Sequence, residues 1–321
     1  MYNDVKLEKG MYHLANKSFL QALEEQDPAA QYAQTPLAKL DAYERQLKRF
    51  DIRVNGAGCD RVEKFFTTTE SAVLFPEFIR RSVLQGMQEA VLSDMVAVVS
   101  RSESNRYQGC TLTDSEEYST TQEGGEIPAS TIMESSEIVT LSKYGRVIQA
   151  SYEAVRQQRL DVFALMLRRV GRQLAESIVG KALDVLKTAS NAAAITKAGS
   201  ELSYSDLAAL YGKFTTCSLT TILASPAVMA EILVMNQMIE ASSEEAAEIR
   251  LPFGAKLVKC PQLEDTVLLG LDKDFALEQI QSSDVVLETD KLIDRQLDCI
   301  TVSVNAGFRT LIADAVQMLK I

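Results

Sequence analysis

Few residues in this 321-residue chain have the type and spacing needed for covalent chemistry. His13 is the only histidine, so neither a histidine-based triad nor a multi-histidine metal site can be built from one copy. The motifs that cradle a phosphate or expose a nucleophile, GxxxxGK[ST], GxGxxG and GxSxG, are missing. Glu116-Glu117 and Glu244-Glu245 can be written as carboxylate pairs, but adjacent acids on polar stretches read as solvated surface. Lys143, ahead of Tyr144-Gly145, reads as a strand-end charge. Cys59, Cys110, Cys217, Cys260 and Cys299 form no CxxC pair and read as reduced, packed thiols in a cytosolic setting. The one dense charged group is basic: Arg156, Arg159, Arg168, Arg169 and Arg172. The last three crowd within about one helical turn, where like charges cost a few tenths of a kcal/mol per pair. In a chain of net charge −11, they call for an acidic partner surface.

A long helix must carry those arginines. From Ser151 to Leu186 no proline intervenes, and Leu160, Phe163, Leu167, Val170, Leu174, Ile178, Ala182 and Val185 recur every three or four residues as one buried stripe. Ser151 is a plausible N-cap, and Glu153 suits the positive end of the helix dipole. Gly171 and Gly180 cost about 1 kcal/mol each relative to alanine inside a helix, which predicts close backbone packing at both.

The remaining elements are arranged around that strut. A hydrophobic share of 46% supports real cores, and the length allows two or three compact units. The acidic balance argues against a sequence-independent grip on nucleic-acid phosphates, which does not exclude living beside DNA. No apolar run reaches the roughly 18 residues of a membrane span, and the N-terminus lacks a basic-then-apolar signal. Leu37 to Phe50 is expected to be helical, with Leu37, Leu40, Tyr43, Leu47 and Phe50 on one face and a neighbouring molecule as its favoured cover. A helix is expected from about Pro76 and a strand over Met95–Val99. Arg101 to Thr131 is the most hydrophilic stretch. With Gly124-Gly125 near its middle and alternation over Ile132–Ile148, it reads as a long hairpin, or else as a disordered acidic loop. A solitary hairpin of that length is marginal in water and has to lie on something. Helices over Ser205–Phe214 and Pro226–Ile239 alternate with strands over Thr220–Ala224, Ala255–Cys260 and Thr266–Leu271 as a separate subdomain. Val285–Glu288, Cys299–Val304 and Thr310–Met318 read as a closing sheet.

This order of parts resembles the major capsid proteins of tailed bacteriophages, which have the Hong Kong 97-type fold. The resemblance rests on TTTESAVLFPEFI at Thr67–Ile79, on LSKYGRVIQASYEAVRQQRLDVFALML at Leu141–Leu167, and on IDRQLDCITVSVNAGFRTLIADAVQML at Ile293–Leu319. It implies an α+β capsid fold with an N-terminal arm over 1–66, the start of the peripheral domain over 67–108, and an extended loop with returning strand over 109–150. A spine helix over 151–188, an axial domain over 189–272 and a closing peripheral sheet over 273–321 would follow. It further implies self-assembly through pentamers and hexamers into an icosahedral head around double-stranded DNA. The chain would then be found in the virion, assembled in the host bacterial cytoplasm, with portal and scaffolding or decoration proteins as further partners. No enzymatic activity, cofactor or membrane is implied. The expected intersubunit contacts are Leu37, Leu40, Leu47 and Phe50 on the arm, Glu123, Gly124, Gly125 and Glu126 at the loop tip, and Arg168, Arg169 and Arg172 on the spine. The hairpin interior from Gly109 to Leu141 has no lysine, so the lysine-asparagine crosslinks of some relatives are not expected. The rival readings are an encapsulin-like bacterial compartment shell and a soluble cytosolic hydrolase.

Overall fold

The computed structural model describes residues 2–14, 17–88, 91–113, 120–121, 123–124, 127, 129–190, 193–241, 248–282, 285–292 and 297–321. In chain order the helices are α1 (Phe19–Gln26), α2 (Ala42–Arg49), α3 (Thr69–Ala72), α4 (Phe75–Gln88), α5 (Tyr152–Gln157), α6 (Leu160–Ser190), α7 (Tyr204–Gly212), α8 (Pro226–Leu233) and α9 (Asn236–Ala241). The strands are β1 (Val96–Arg101), β2 (Arg106–Thr113), β3 (Thr131–Thr140), β4 (Ser142–Ser151), β5 (Ile195–Thr196), β6 (Thr221–Ala224), β7 (Lys256–Lys259), β8 (Val267–Leu271), β9 (Leu277–Gln281), β10 (Val286–Leu292), β11 (Leu297–Thr310) and β12 (Val316–Lys320). The chain forms two compact units, one of residues 1–90, 145–175 and 285–303, the other of 91–144, 176–284 and 304–321.

The first unit is mainly helical. Its apolar interior includes Phe19, Leu23, Tyr43, Leu47, Phe65, Leu74, Phe78, Phe163 and Leu167. Phe65 and Phe75 lie with ring centroids 5.5 Å apart, and Phe75 stacks on Phe163 at 6.1 Å. The N-terminal region therefore has the local core that its sequence does not advertise. Helix α2 starts later than expected, because the Asp41 carboxylate accepts from the Glu44 N–H at 2.8 Å and the Glu44 carboxylate accepts from the Asp41 N–H at 3.1 Å. That reciprocal capping box sets the helix start at Ala42. Leu37 lies in a short 3-10 turn, Pro36–Lys39, and Leu40 is extended.

The expected single helix from Ser151 is two. Ser151 does cap α5, accepting from the Ala154 N–H at 3.2 Å, but Gln158 is extended. Residues 60–62 interrupt the helix there: the Val62 N–H donates to the Gln158 carbonyl and the Leu160 N–H to the Asp60 carbonyl, each at 2.9 Å. Helix α6 then runs 31 residues, about 46 Å at 1.5 Å per residue. Leu160, Phe163, Leu167, Leu174, Ile178 and Ala182 of the expected stripe are buried, with Val170 and Val185 half-buried. Gly171 meets expectation, since a Cβ there would lie 2.1 Å from the Val83 carbonyl oxygen of α4. Gly180 does not, because nothing lies within 4 Å of its Cβ position.

In the second unit, β6, β7, β8, β12 and β5 form one sheet in the order β5-β12-β8-β6-β7. The block from 189 to 272 thus gains the last strand of the chain: β12, expected in the closing sheet, pairs antiparallel with β8, Val316 opposite Leu271 and Lys320 opposite Val267. The expected helix over Pro226–Ile239 is broken into α8 and α9. Strand β9 lies between β1 and the last part of β11, with Arg309 directly opposite Glu278. In the first unit, the earlier part of β11 pairs with β10, Ser303 opposite Val286. The hairpin is β2 with β3, from Arg106 opposite Thr140 to Thr113 opposite Thr131. Its returning arm is not one strand through Ile148. It stops at the buried Leu141, whose N–H donates to the Asn105 carbonyl at 3.0 Å, and β4 begins afresh.

Candidate assembly surfaces

No cluster of three metal-ligating side chains occurs among the described residues, and no helix among them is long and apolar enough to cross a membrane. The surfaces with chemical character are instead apolar and charged.

The hairpin is the first. Ile127 is 76% exposed, Ile132 72%, Met133 60% and Ile138 56%, an apolar exposure that isolated surface residues do not explain. Residues 107–142 hold seven acids and no lysine or arginine. Glu123 and Gly124 form an exposed turn, and Gly124 adopts φ 81°, a left-handed conformation suited to glycine. Gly125 and Glu126 lie outside the described residues, as do Glu116, Glu117, Glu244 and Glu245.

The second surface is the outer side of α6 in the first unit. Val162, Leu165 at 63% and Met166 at 54% are exposed, one helical face of i, i+3 and i+4 spacing. They went unremarked in the sequence because they lie off the buried stripe; three apolar residues outside a stripe are themselves the signal. Arg169 and Arg172 are exposed beside them, whereas Arg168 is half-buried. The Arg168 Nε is buried and has no hydrogen-bond partner among the described residues. Helix α4 crosses at this point: a Cβ on Gly86 would sit 2.0 Å from the Arg168 carbonyl oxygen. Arg159 is taken up by Asp161, 2.6 Å away, and Arg156 lies over the Phe66 ring at 5.4 Å. The three expected arginines are thus together on α6 but in different surroundings.

The arm residues divide. Leu37, Leu40 and Phe50 are half-exposed, while Leu47 is 5% exposed inside its own unit. Its partners are within the chain because Arg45, on the same helix, anchors the region. Arg45 is fully buried; its Nε donates to the Asp27 carboxylate at 2.6 Å and its Nη1 to the Leu40 carbonyl at 2.7 Å.

A third group of residues positions the hairpin and was not foreseen. Glu278, 3% exposed, accepts hydrogen bonds from Ser100 of β1, from Arg309 Nε of β11 and, at 3.0 Å, from the Tyr107 hydroxyl of β2. Burial alone pushes the Glu278 carboxyl up, but these three donors and the Arg309 charge outweigh it and hold the pKa below the ordinary 4.5. Glu278 and Arg309 stand among other polar residues of their strands, Gln279 and Gln281 in β9 and Asn305 and Thr310 in β11, so no local signal marks them.

A long helix, a five-stranded sheet completed by the last strand, and an acidic hairpin together define a Hong Kong 97-like capsid fold. Solved structures agree in fold. The virus-like particle of Pyrococcus furiosus superposes with a TM-score of 0.55 at 13% identity, covering 76% of this chain and 98% of that one. The SrpI encapsulin complex of Synechococcus elongatus PCC 7942 gives 0.53 at 12%, covering 70% and 84%, and Mycobacterium phage Bobi gives 0.52 at 12%, covering 74% and 89%. Comparison with curated protein sequences finds no match. Residues 134–312 match the family model described as phage capsid protein. The chain belongs to that phage capsid protein family, in agreement with its resemblance to tailed-bacteriophage major capsid proteins.

Proposed function

We propose that this chain is the major capsid subunit of a tailed phage, assembling through pentamers and hexamers into an icosahedral head that encloses double-stranded DNA. The observation that carries this reading is the hairpin: a projecting two-stranded ribbon with exposed isoleucines and seven acids is not a stable end state by itself. Residues 109–150 would lie over a neighbouring subunit, with 151–188 as spine, 189–272 as the main part of the axial domain, 67–108 and 273–321 completing the peripheral domain, and 1–66 as the arm. Residues 156–172 carry five arginines against one aspartate, so the acidic hairpin of a neighbour, Glu123 to Glu126 included, is the natural partner for Arg168, Arg169 and Arg172. Leu37, Leu40 and Phe50 are proposed as arm contacts; Leu47 is assigned to folding. Repetition over every subunit turns weak contacts into a durable shell.

The net charge of −11 fits a container whose wall does not adhere to the DNA it holds. Portal, scaffolding and decoration proteins are proposed partners, assembly is placed in the host cytoplasm, and the mature protein in the virion. The test is to purify natural particles and determine their content. Double-stranded DNA supports the phage head; a packaged enzyme without DNA would make the shell a bacterial compartment instead.

A further inference from the structure

The geometry points to a latch, built from Glu278 and Arg309, that fixes the direction in which the β2–β3 hairpin leaves its sheet. Arg309 and Glu278 are cross-strand neighbours on β11 and β9, so their pairing is part of the sheet itself. The pair then reaches out to β2 at two points. The Tyr107 hydroxyl donates to Glu278 at 3.0 Å, and the Arg309 Nη2 donates to the Cys110 carbonyl at 3.1 Å. Between these two points lies Gly109, and the guanidinium occupies the space where its side chain would be: a Cβ there would stand 2.1 Å from Arg309 Cζ and 2.4 Å from each Nη. The fork of the guanidinium permits this, since it can serve a carboxylate and a carbonyl at once while presenting a flat body to the backbone.

The hairpin is irregular at the same level. Gln108 pairs with Ile138 but Cys110 with Glu134, so Ser135 to Glu137 bulge opposite Gly109 and the ribbon is locally free of its ladder. Side chains close the gap: the Gln108 Nε2 donates to the Ser135 carbonyl at 2.8 Å, and the Glu137 N–H donates to the Ser135 hydroxyl at 3.1 Å. Packing holds β3 beyond the bulge, where a Cβ on Gly307 of β11 would lie 2.7 Å from the Val139 side chain. A cavity of about 870 Å³, lined by Ser135, Ile138, Lys181, Asp184, Thr188 and Phe308 among others, separates the bulge from α6. With its ladder interrupted by the bulge and a cavity beneath the bulge, the ribbon takes its direction at this level from the latch. That the direction matters for shell building rests on the proposed function; the latch itself does not.

The test is hydrogen exchange on the soluble chain held below assembly concentrations, comparing Arg309→Lys and Gly109→Ala with the parent. Lysine keeps the charge and the pairing to Glu278 but cannot also hold the Cys110 carbonyl. Alanine at 109 leaves both charged residues in place and expels the guanidinium from its notch. Both variants should speed exchange across 106–113 and 131–140 by about tenfold or more, while 267–271 and 316–320 are unchanged. An unchanged hairpin in both variants overturns the latch, and so does a uniform rise over all segments, which would make the pair an ordinary core contact. Should Arg309→Lys fail to fold, Gly109→Ala alone decides. Loosened hairpins that still give normal shells would support the latch and contradict the assembly role given to the hairpin.

Discussion

Arg45 and Asp27 are each fully buried, so their worth lies in mutual satisfaction. The Tyr32 hydroxyl donates to the second Asp27 oxygen at 2.5 Å, and Arg45 stacks over the Tyr32 ring at 4.7 Å. Asp27→Ala removes the buried counter-ion of Arg45 and leaves only the half-exposed Glu24 carboxylate, 3.4 Å away, and urea unfolding of the soluble chain should show a loss of about 3–5 kcal/mol. Glu278 permits a second prediction at this scale. Because its folded pKa lies below the ordinary 4.5, the folded chain releases that proton more readily than the unfolded one. The resulting stability is present above the unfolded value and lost as pH falls through the folded one. The groups facing the carboxylate are the Ser100 and Tyr107 hydroxyls and the Arg309 guanidinium. Exchange of the hairpin amides, corrected for intrinsic rate, should therefore be flat from pH 8 to pH 5 and rise below 4.5. A rise centred near pH 6.5 would contradict it.

Among the elements, the crossing of α4 and α6 decides most. Gly86 and Gly171 each place their missing side chain against a backbone carbonyl of the other helix, at 2.0 and 2.1 Å, and backbone atoms cannot move aside as a side chain can. Gly171→Ala should destabilise by about 1–3 kcal/mol or more despite the better helix propensity of alanine. Gly180→Ala, with open space around it, should stabilise by about 0.5–1 kcal/mol. Opposite signs in thermal melts of the two variants check the reading. The buried stripe of α6, the strands β6, β7 and β8, and the acidic hairpin were legible in the sequence because each is set by local periodicity or turn residues. What was not legible depends on distant partners. Helix α6 begins at Leu160 because residues 60–62 occupy the backbone of Gln158 and Leu160, and β12 joins the sheet of β8 and β6 because Leu268 and Leu269 lie opposite its Leu319 and Met318. Leu47 could not be told from a contact residue, since a stripe shows that a face is covered and not by which molecule. The arginines were found as a cluster; the apolar residues beside them lie off the buried stripe, and the Glu278–Arg309 pair is made by two strands whose pairing is not local.

At the scale of the whole molecule, charge is sorted by region: seven acids without a base over 107–142, five arginines against one acid over 156–172. The proposed contacts between such surfaces on different copies would be steered and held electrostatically, and the Debye length of about 10 Å at 0.1 M salt shrinks to roughly 3 Å at 1 M. Assembly followed by light scattering should slow as sodium chloride rises, and Arg169→Glu should slow it further at low salt; a purely apolar association would strengthen in salting-out conditions instead. Leu40→Asp should impair shells while the soluble chain keeps its fold, whereas Leu47→Asp should fail to fold, which circular dichroism separates.

The most direct measurement is the particle size of the purified chain at rising concentration, by sedimentation velocity with negative-stain microscopy. Closed shells, or rings of five and six subunits, are the expected result. A species that stays monomeric or dimeric at every concentration, with a scaffolding protein supplied, would contradict a shell-building function.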